Sequence, residues 1–238
     1  GSQVPAINTP KLPPELEKKL SKLKPKLDKF KDGVLDKFGD YIVGITLLPP
    51  EKPKEGEKVD EKAINLLVVV DDTTSQKMSK DELHKKFSTI ISKIAEDTDK
   101  NLKAQSVLLT DIWLNCYDGK FELNHLISIA APIHDTGMLA AIKIAEIHKS
   151  MVIKKFEKYI MSYVLAGSLT QGRATPSSDI DVWIVIDDTD VKKMTRAELK
   201  DKLRAIIIGM GAEAGEITGI KNKINIQVYI LTDFWDSL

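Results

Sequence analysis

Residues 163–186 decide the fold, and they read YVLAGSLTQGRATPSSDIDVWIVI. An apolar run leads into Gly167-Ser168, a polar loop follows, and a second apolar run then begins with two carboxylates, Asp179 and Asp181. Residues i and i+2 of a strand point to the same face, so Asp179 and Asp181 are predicted to project side by side. Carboxylates this close repel each other unless a cation lies between them, and oxygen ligands favour a hard ion such as Mg²⁺.

The combination of a Gly-Ser loop and an Asp-x-Asp strand resembles the DNA polymerase β-type nucleotidyltransferase superfamily, especially its minimal members. The resemblance implies an α/β (α+β) fold in which helices pack against a small mixed sheet. It also implies that Gly167 and Ser168 bind the triphosphate of an NTP. Asp179 and Asp181 would then hold Mg²⁺, with Mn²⁺ as a second ion that fits, while an acceptor hydroxyl attacks the α-phosphate.

Two further residues of the loop are candidates for nucleotide binding. Arg173 is expected to approach the triphosphate, with an exposed loop charge as the alternative. The hydroxyl of Ser178 is suited to bind a phosphate oxygen, or to hold the turn before the strand.

The family usually supplies a third carboxylate from a later strand, and this chain has none at the matching place. In residues 224–231, which read INIQVYIL, the position best matches Gln227, with Asn225 as the alternative. A side-chain amide can coordinate an ion through its oxygen but cannot accept a proton. Three acids elsewhere are weaker substitutes: Asp187, Asp188 and Asp233.

The chain also contains an internal repeat. Residues 70–83 match residues 186–199 at an offset of 186 − 70 = 116, and residues 109–113 match residues 231–235 at an offset of 231 − 109 = 122. A looser pairing sets Tyr41 against Tyr163. Repeated blocks in the same order indicate a duplicated unit.

The repeat predicts two tandem nucleotidyltransferase-like domains after a disordered tail at residues 1–14. The first domain is expected at residues 15–136 and the second at residues 137–238, with the second truncated at its C-terminus. The offset sets Ala63 opposite Asp179 and Asn65 opposite Asp181. Because Ala has no ligand atom and Asn has no charge, the first domain is predicted to be degenerate and kept for packing or for shaping a cleft.

Local patterns predict several helices and their ends. Residues 15–41 form a Lys-rich amphipathic stretch that Pro25 and Gly33 are expected to break or kink, and residues 137–163 are predicted to form one long helix. Ser79 and Thr195 are each followed three residues later by Glu, as in a capping box. The Asp-Asp pair before each cap is attributed to turn chemistry.

The overall composition is that of a soluble protein without an excess of charge of either sign. The 35 basic and 35 acidic residues balance, which argues against sequence-independent nucleic-acid binding. Cys116 is the only cysteine, and no apolar run is long enough for a membrane span, so a cytoplasmic location is expected. The sequence therefore predicts a nucleotidyltransferase with an unknown acceptor (RNA, protein or a small molecule). The alternative is a nucleotide-binding or scaffold module without turnover.

Overall fold

The structure, a computed structural model, describes residues 14–50, 54–73, 79–112, 122–166, 175, 177–191 and 193–236. It contains both helices and strands, and the fold is α+β, as predicted. In chain order the elements are α1 (Pro14–Phe38), β1 (Ile42–Leu47), β2 (Ile64–Val70), α2 (Lys80–Thr98), β3 (Leu102–Leu108), α3 (Glu122–Ile129), β4 (Ala131–Asp135), α4 (Met138–Phe156), β5 (Ile160–Ala166), β6 (Ile180–Ile186), α5 (Arg196–Thr218), β7 (Ile224–Ile230) and α6 (Leu231–Asp236).

The described strands form two mixed sheets. The first sheet has the order β3-β2-β1-β4 and the second has the order β5-β6-β7. In each sheet an antiparallel pair (β1–β2 or β5–β6) is followed by a parallel pair (β2–β3 or β6–β7). A helix, α2 or α5, makes each parallel crossover. We refer to β1, β2, α2 and β3 as the first unit and to β5, β6, α5 and β7 as the second unit.

Backbone pairing relates the two units position by position. The carbonyl oxygen of Tyr41 accepts a 2.7 Å hydrogen bond from the N–H of Asp71, and that of Tyr159 accepts one of the same length from the N–H of Asp187. Asp71 and Asp187 are equivalent in the sequence repeat, so Tyr41 corresponds to Tyr159. The looser pairing of Tyr41 with Tyr163 was wrong, because the loop between the first two strands differs in length. The duplication itself stays a prediction.

The two central strands differ in how they are buried. Strand β2 reads INLLVVV and is buried without interruption from Leu66 to Val70, whereas β6 reads IDVWIVI and alternates. The fully buried residues of β6 pack against α4 and α5; they are Ile180, Val182, Ile184 and Ile186. The opposite face of the second sheet carries Asp181, Trp183 and Gln227, all exposed or half-buried, and we call it the open face.

Helix α4 lies in the core that the two sheets share. Its residues join a single cluster with Val43 and Leu67 of the first sheet and with Val182 of the second. Gly44 permits the close approach of β1, since a Cβ at that position would lie 2.6–2.8 Å from the side chain of Leu139. The helix ends at Phe156 rather than near residue 163, because the chain turns there to enter β5.

Helix α1 runs through Pro25 and Gly33 without a break, contrary to the sequence prediction. Proline removes one backbone hydrogen bond, but an apolar stripe on both sides of Gly33, including Phe30 and Val34, is fully buried against the first sheet. A Cβ at Gly33 would lie 3.1 Å from Ile94 Cγ2 of α2, so this glycine serves helix packing rather than helix termination.

Both crossover helices begin at the predicted N-caps. The side chain of Ser79 accepts a hydrogen bond from the N–H of Glu82, and Thr195 forms a complete capping box with Glu198. The predicted tail lies outside the described residues, apart from Pro14 in the first turn of α1. Among the helices that the structure describes, none has the combined length and apolar content that crossing a bilayer requires.

Candidate active site

The two carboxylates of the motif lie at the start of β6, on the open face. Asp179 immediately precedes the strand and is exposed, whereas Asp181 lies within it and is half-buried. Ile180 and Val182 are fully buried beneath them, as the alternation predicts. Strand geometry therefore holds both acids on one side of a rigid central strand.

Asn225 of β7 contacts both carboxylates. Its Nδ2 donates to Asp179 Oδ2 at 3.3 Å and to Asp181 Oδ1 at 3.4 Å. The parallel register pairs Asp181 with Asn225 and Trp183 with Gln227. Asn225, the second of the two candidates for the place of a third carboxylate, is therefore the β7 residue that lies beside both acids, and a metal-binding role for Gln227 stays a prediction. Gln227 lies on the same face but two residues farther along the strand, beside Trp183.

A buried asparagine fixes the turn that leads into Asp179. Asn222 donates through Nδ2 to the carbonyl oxygen of Ser178 at 2.7 Å. The hydroxyl of Ser178 in turn accepts from the N–H of Thr175 at 2.8 Å, and the N–H of Ser178 donates to the carbonyl of Thr175 at 3.1 Å. The structure thus gives Ser178 a turn-holding contact, and its phosphate-binding role stays a prediction. Asn222 could not be identified from the sequence, because a single Asn before a strand carries no signal until its burial is known.

The residues predicted to bind the triphosphate follow β5. Ala166 ends β5 and pairs with Asp181, so β5 finishes beside the carboxylates. Gly167, Ser168 and Arg173 lie outside the described residues, and their roles stay predictions.

The three weaker acid candidates lie at the other end of the sheet. Asp187 follows the last residue of β6 and is six residues from Asp181, which is about 20 Å along a strand. Its carboxylate accepts from the N–H and hydroxyl of Thr189, which lowers its pKa. Asp188 accepts from the Thr232 hydroxyl at 2.8 Å, and Asp233 accepts from Arg196 at 3.2 Å. These acids hold turns and helix ends, and they cannot replace a third ligand beside Asp181.

The equivalent positions of the first unit carry no comparable acids. Asn65 pairs with Lys103 at the position where Asp181 pairs with Asn225. Next on the same face come Leu67 and Val69, both buried in the cluster that contains α4. The face that is open in the second unit is therefore core in the first.

A buried polar cluster fixes the middle of β5 against α4 and α5. The Nδ1 atom of His148 lies 2.7 Å from the hydroxyl of Tyr163, and its Nε2 lies 3.0 Å from the carbonyl oxygen of Ile207, an acceptor. The proton therefore belongs on Nε2 in the neutral ring. Burial lowers the pKa of His148, and burial together with the charge of Glu146 raises the pKa of Tyr163. The cluster is a support for β5 and does not reach the open face.

The site as a whole combines two carboxylates and one amide on an accessible sheet face. Within the described residues there is no group of three or more His, Cys, Asp or Glu side chains that would hold a metal ion. A cation at this place would therefore bind through Asp179, Asp181 and the amide of Asn225, with water and substrate oxygens completing its shell.

Comparison with known proteins agrees with the motif. A family model described as "Nucleotidyltransferase domain" matches residues 145–224. The match begins within α4, contains the loop and both carboxylates, and ends at Ile224, one residue before Asn225. A search among curated proteins finds no match to the chain.

Proposed function

We propose, from the match of residues 145–224 to the nucleotidyltransferase domain family, that the protein moves an NMP group from an NTP to an acceptor hydroxyl in a Mg²⁺-dependent reaction. One observation carries the proposal. Asp179 and Asp181 lie on an open sheet face and share an amide partner, Asn225. Two acids with no bound cation repel each other, and nothing in the packing of β6 requires them.

The residues present fit a hard divalent ion. Two carboxylates and an amide oxygen form an oxygen-only ligand set, which suits Mg²⁺ or Mn²⁺. In the structure the Asn225 nitrogen faces the carboxylates; a half-turn of the amide presents its oxygen instead, and the two orientations are nearly equivalent in shape. When bound, the ion would neutralise the charge on the phosphate oxygens and orient the attacking and leaving groups.

The chain's own residues then bind and position the substrates. Gly167 and Ser168 would hold the triphosphate, and Arg173 would add a positive charge beside it. The acceptor oxygen forms a bond to the α-phosphorus, the bond from that phosphorus to the bridging oxygen breaks, and pyrophosphate leaves. Asn225 cannot take the acceptor proton, so the proton passes to solvent water. Positioning and charge neutralisation therefore supply most of the catalysis.

The test measures transfer of label from α-³²P NTPs, with Mg²⁺, to pooled RNA, protein and aminoglycoside acceptors. Asp179→Ala is expected to abolish the labelling, since one of two charged ligands is lost. Asp190→Ala is the matched control, because Asp190 is an exposed acid beyond the far end of β6. Labelling that persists in the double variant Asp179→Ala, Asp181→Ala would contradict the proposal.

A second function is favoured by Asn225 itself. Because this position lacks a carboxylate, the unit could bind Mg²⁺–NTP as a sensing or scaffold module without turnover. Calorimetry separates the two: NTP binding that requires Mg²⁺ and Asp179, with no product formed on any acceptor, favours the module over the enzyme.

A further inference from the structure

The charges of the chain balance in total, but they are not evenly distributed. Residues 18–31 of α1 read KKLSKLKPKLDKFK and contain seven lysines against one acid, Asp28, which gives a local charge of +6. The rest of the chain carries the compensating negative charge. A neutral total therefore does not exclude binding of a polyanion at this helix, because salt screens charges beyond about 8–10 Å and leaves the local charges to decide.

The N-terminal half of α1 projects from the first sheet. Gly33 packs against Ile94 of α2, and Lys26 pairs at 2.7 Å with Asp99, the residue that follows α2. The two helices are therefore antiparallel, and the part of α1 before Lys26 extends past the end of α2. Among the described side chains of α1, the first buried one is that of Leu27. The turns that carry most of the lysines are therefore largely exposed.

Five of these lysines lie on one face of the helix, which we call the basic row. At 3.6 residues per turn they fall within about 100° around the helix axis, and the row is about 17 Å long. Its members are Lys18, Lys19, Lys22, Lys26 and Lys29, and all five are exposed. Within the described ranges of the chain, only Lys26 of this row forms an ion pair. Like charges four residues apart, such as Lys18 and Lys22, destabilise a helix by about 0.2–0.5 kcal/mol per pair, and a bound anion would remove this cost.

The surroundings of the row favour a nucleic-acid duplex over a lipid surface or a single strand. The apolar side chains described on the projecting turns are Leu20, which is 37% exposed, and Leu23, which is half-buried. A membrane-bound helix needs a larger apolar face. Single strands are bound by stacking bases on aromatic rings, and residues 18–29 contain no aromatic residue. A duplex instead presents rows of phosphates, which lysines bind.

We propose that the basic row binds the phosphate backbone of a nucleic-acid duplex, independently of base sequence. The row does not belong to the site of the proposed function. Helix α1 packs against Leu66 and Val68 on one face of β2, whereas α4 packs against Leu67 on the opposite face, toward the second sheet. The surface is therefore an anchoring site, and its affinity for a duplex does not rest on catalysis by the second unit.

The affinity should depend steeply on salt, because each phosphate contact releases condensed counterions. The logarithm of the association constant falls by about 0.9 per contact for each unit in the logarithm of the salt concentration. The four lysines of the row without an ion pair predict a slope of about −3.6, which is a loss of roughly 150-fold between 50 and 200 mM salt.

The experiment measures anisotropy of a fluorescently labelled RNA duplex of two helical turns at increasing NaCl, without Mg²⁺ or NTP. Replacing Lys18, Lys19, Lys22 and Lys29 together by Gln should bring the slope close to zero and weaken binding in 50 mM salt by more than roughly 100-fold. Gln has nearly the helix propensity of Lys, and circular dichroism and Tm establish that the variant folds. Replacing the same four by Arg keeps the charge and should keep the slope.

The matched control replaces four other lysines by Gln and removes the same total charge. They are Lys154 and Lys155 of α4 and Lys200 and Lys202 of α5, all exposed. This control should bind the duplex almost like wild type. The basic row is overturned if wild type does not bind a duplex, or if both Gln variants lose the same affinity.

Further arms separate the partner and the proposed function. A DNA duplex should bind with a similar slope, since the contact is to phosphates. Binding to vesicles of phosphatidylserine and phosphatidylcholine without binding to a duplex, or tighter binding to single-stranded oligouridylate, would overturn the assignment. Asp179→Ala should bind the duplex like wild type. Duplex binding through the four lysines in a protein without transferase activity supports the basic row and overturns only the proposed function, whereas an active transferase whose duplex binding ignores them overturns only the row.

Discussion

Replacing Asn225 by Asp tests the geometry of the site most directly. Its Nδ2 lies 3.3 Å and 3.4 Å from oxygens of Asp179 and Asp181. The aspartate has nearly the same shape, so an oxygen would replace the amide nitrogen at similar distances. Two favourable contacts become two like-charge repulsions.

The size of the effect follows from Coulomb's law. A pair of unit charges 4 Å apart interacts by about 1 kcal/mol in bulk water and about 4 kcal/mol at the effective dielectric constant near a protein surface. Asp179 is exposed and Asp181 is half-buried. The lower figure therefore applies better to the repulsion between the new carboxylate and Asp179 than to its repulsion with Asp181. Two pairs give about 2 kcal/mol as the smaller limit, which corresponds to roughly 4–8 °C in Tm for a chain of this length.

Mg²⁺ should reverse this loss, because a divalent ion converts three repelling carboxylates into three ligands. At about 100 times its Kd, the ion returns about 2.7 kcal/mol. The assay is thermal unfolding of wild type and Asn225→Asp in EDTA and in MgCl₂. If the restored third acid also serves as a base, transferase activity rises, with about 10²- to 10⁴-fold as the range for general-base catalysis.

The matched control is Gln227→Glu, which adds the same charge on the same strand face but two residues farther along β7, beside Trp183. It should change Tm little and show no added dependence on Mg²⁺. Equal Tm changes in Asn225→Asp and Gln227→Glu, or a Tm of Asn225→Asp that is the same with and without Mg²⁺, would contradict this geometry.

Two other predictions concern the packing of β1 against α4 and the titration of a buried histidine. Gly44→Ala would force a Cβ to within 2.6–2.8 Å of Leu139 and should cost about 1–3 kcal/mol in the free energy of unfolding. Gly209 lies in the interior of α5, where an added Cβ has no neighbour within 4 Å, so Gly209→Ala should instead stabilise the protein by about 0.5–1 kcal/mol. Equal changes in the free energy of unfolding for the two variants, measured in urea, would contradict the packing described for β1 and α4. Because burial lowers the pKa of His148, only the unfolded state gains a proton as pH falls below about 6.5, so stability declines from there down to the folded-state pKa. His148→Gln keeps a donor for Ile207 and should flatten the dependence of Tm on pH between about 7.5 and 5; an unchanged slope would show that another group titrates.

The motif could be placed from sequence because its signal is local. Alternation along one strand puts Asp179 and Asp181 on the same face, and their burial and contacts agree with that pattern. The information that distinguishes Asn225 from Gln227 is not local in the sequence. It depends on the parallel register of β6 and β7, two strands that the crossover helix α5 separates in the sequence. Which of two β7 residues, two positions apart, lies beside Asp181 cannot be derived from the pattern of either strand alone.

The helices show the same difference between features that depend on neighbouring residues and features that depend on tertiary packing. The caps at Ser79 and Thr195 were predictable, because the capping residues contact backbone groups three positions away. The continuity of α1 through Pro25 was not, since it depends on burial of Phe30 and Val34 against a sheet formed by later residues. Tertiary packing outweighed the local cost of the proline.

The two units make similar contacts where those contacts support the fold. Lys80 pairs with Asp111 in the first unit and Arg196 pairs with Asp233 in the second, and in both an aspartate after the central strand holds the next turn. These contacts lie at the far end of the sheets from Asp181.

The sheet face beside the carboxylates is where the two units differ, and burial explains why. In the first unit the residues that follow Asn65 on this face, Leu67 and Val69, are covered by the cluster around α4. An ionised carboxylate beneath such a cover would lose its hydration without gaining a partner, at a cost of several kcal/mol. The same face cannot be both core and ion site. The first unit uses it to bind α4 between the sheets, and the second unit leaves it open for Asp179, Asp181 and Trp183.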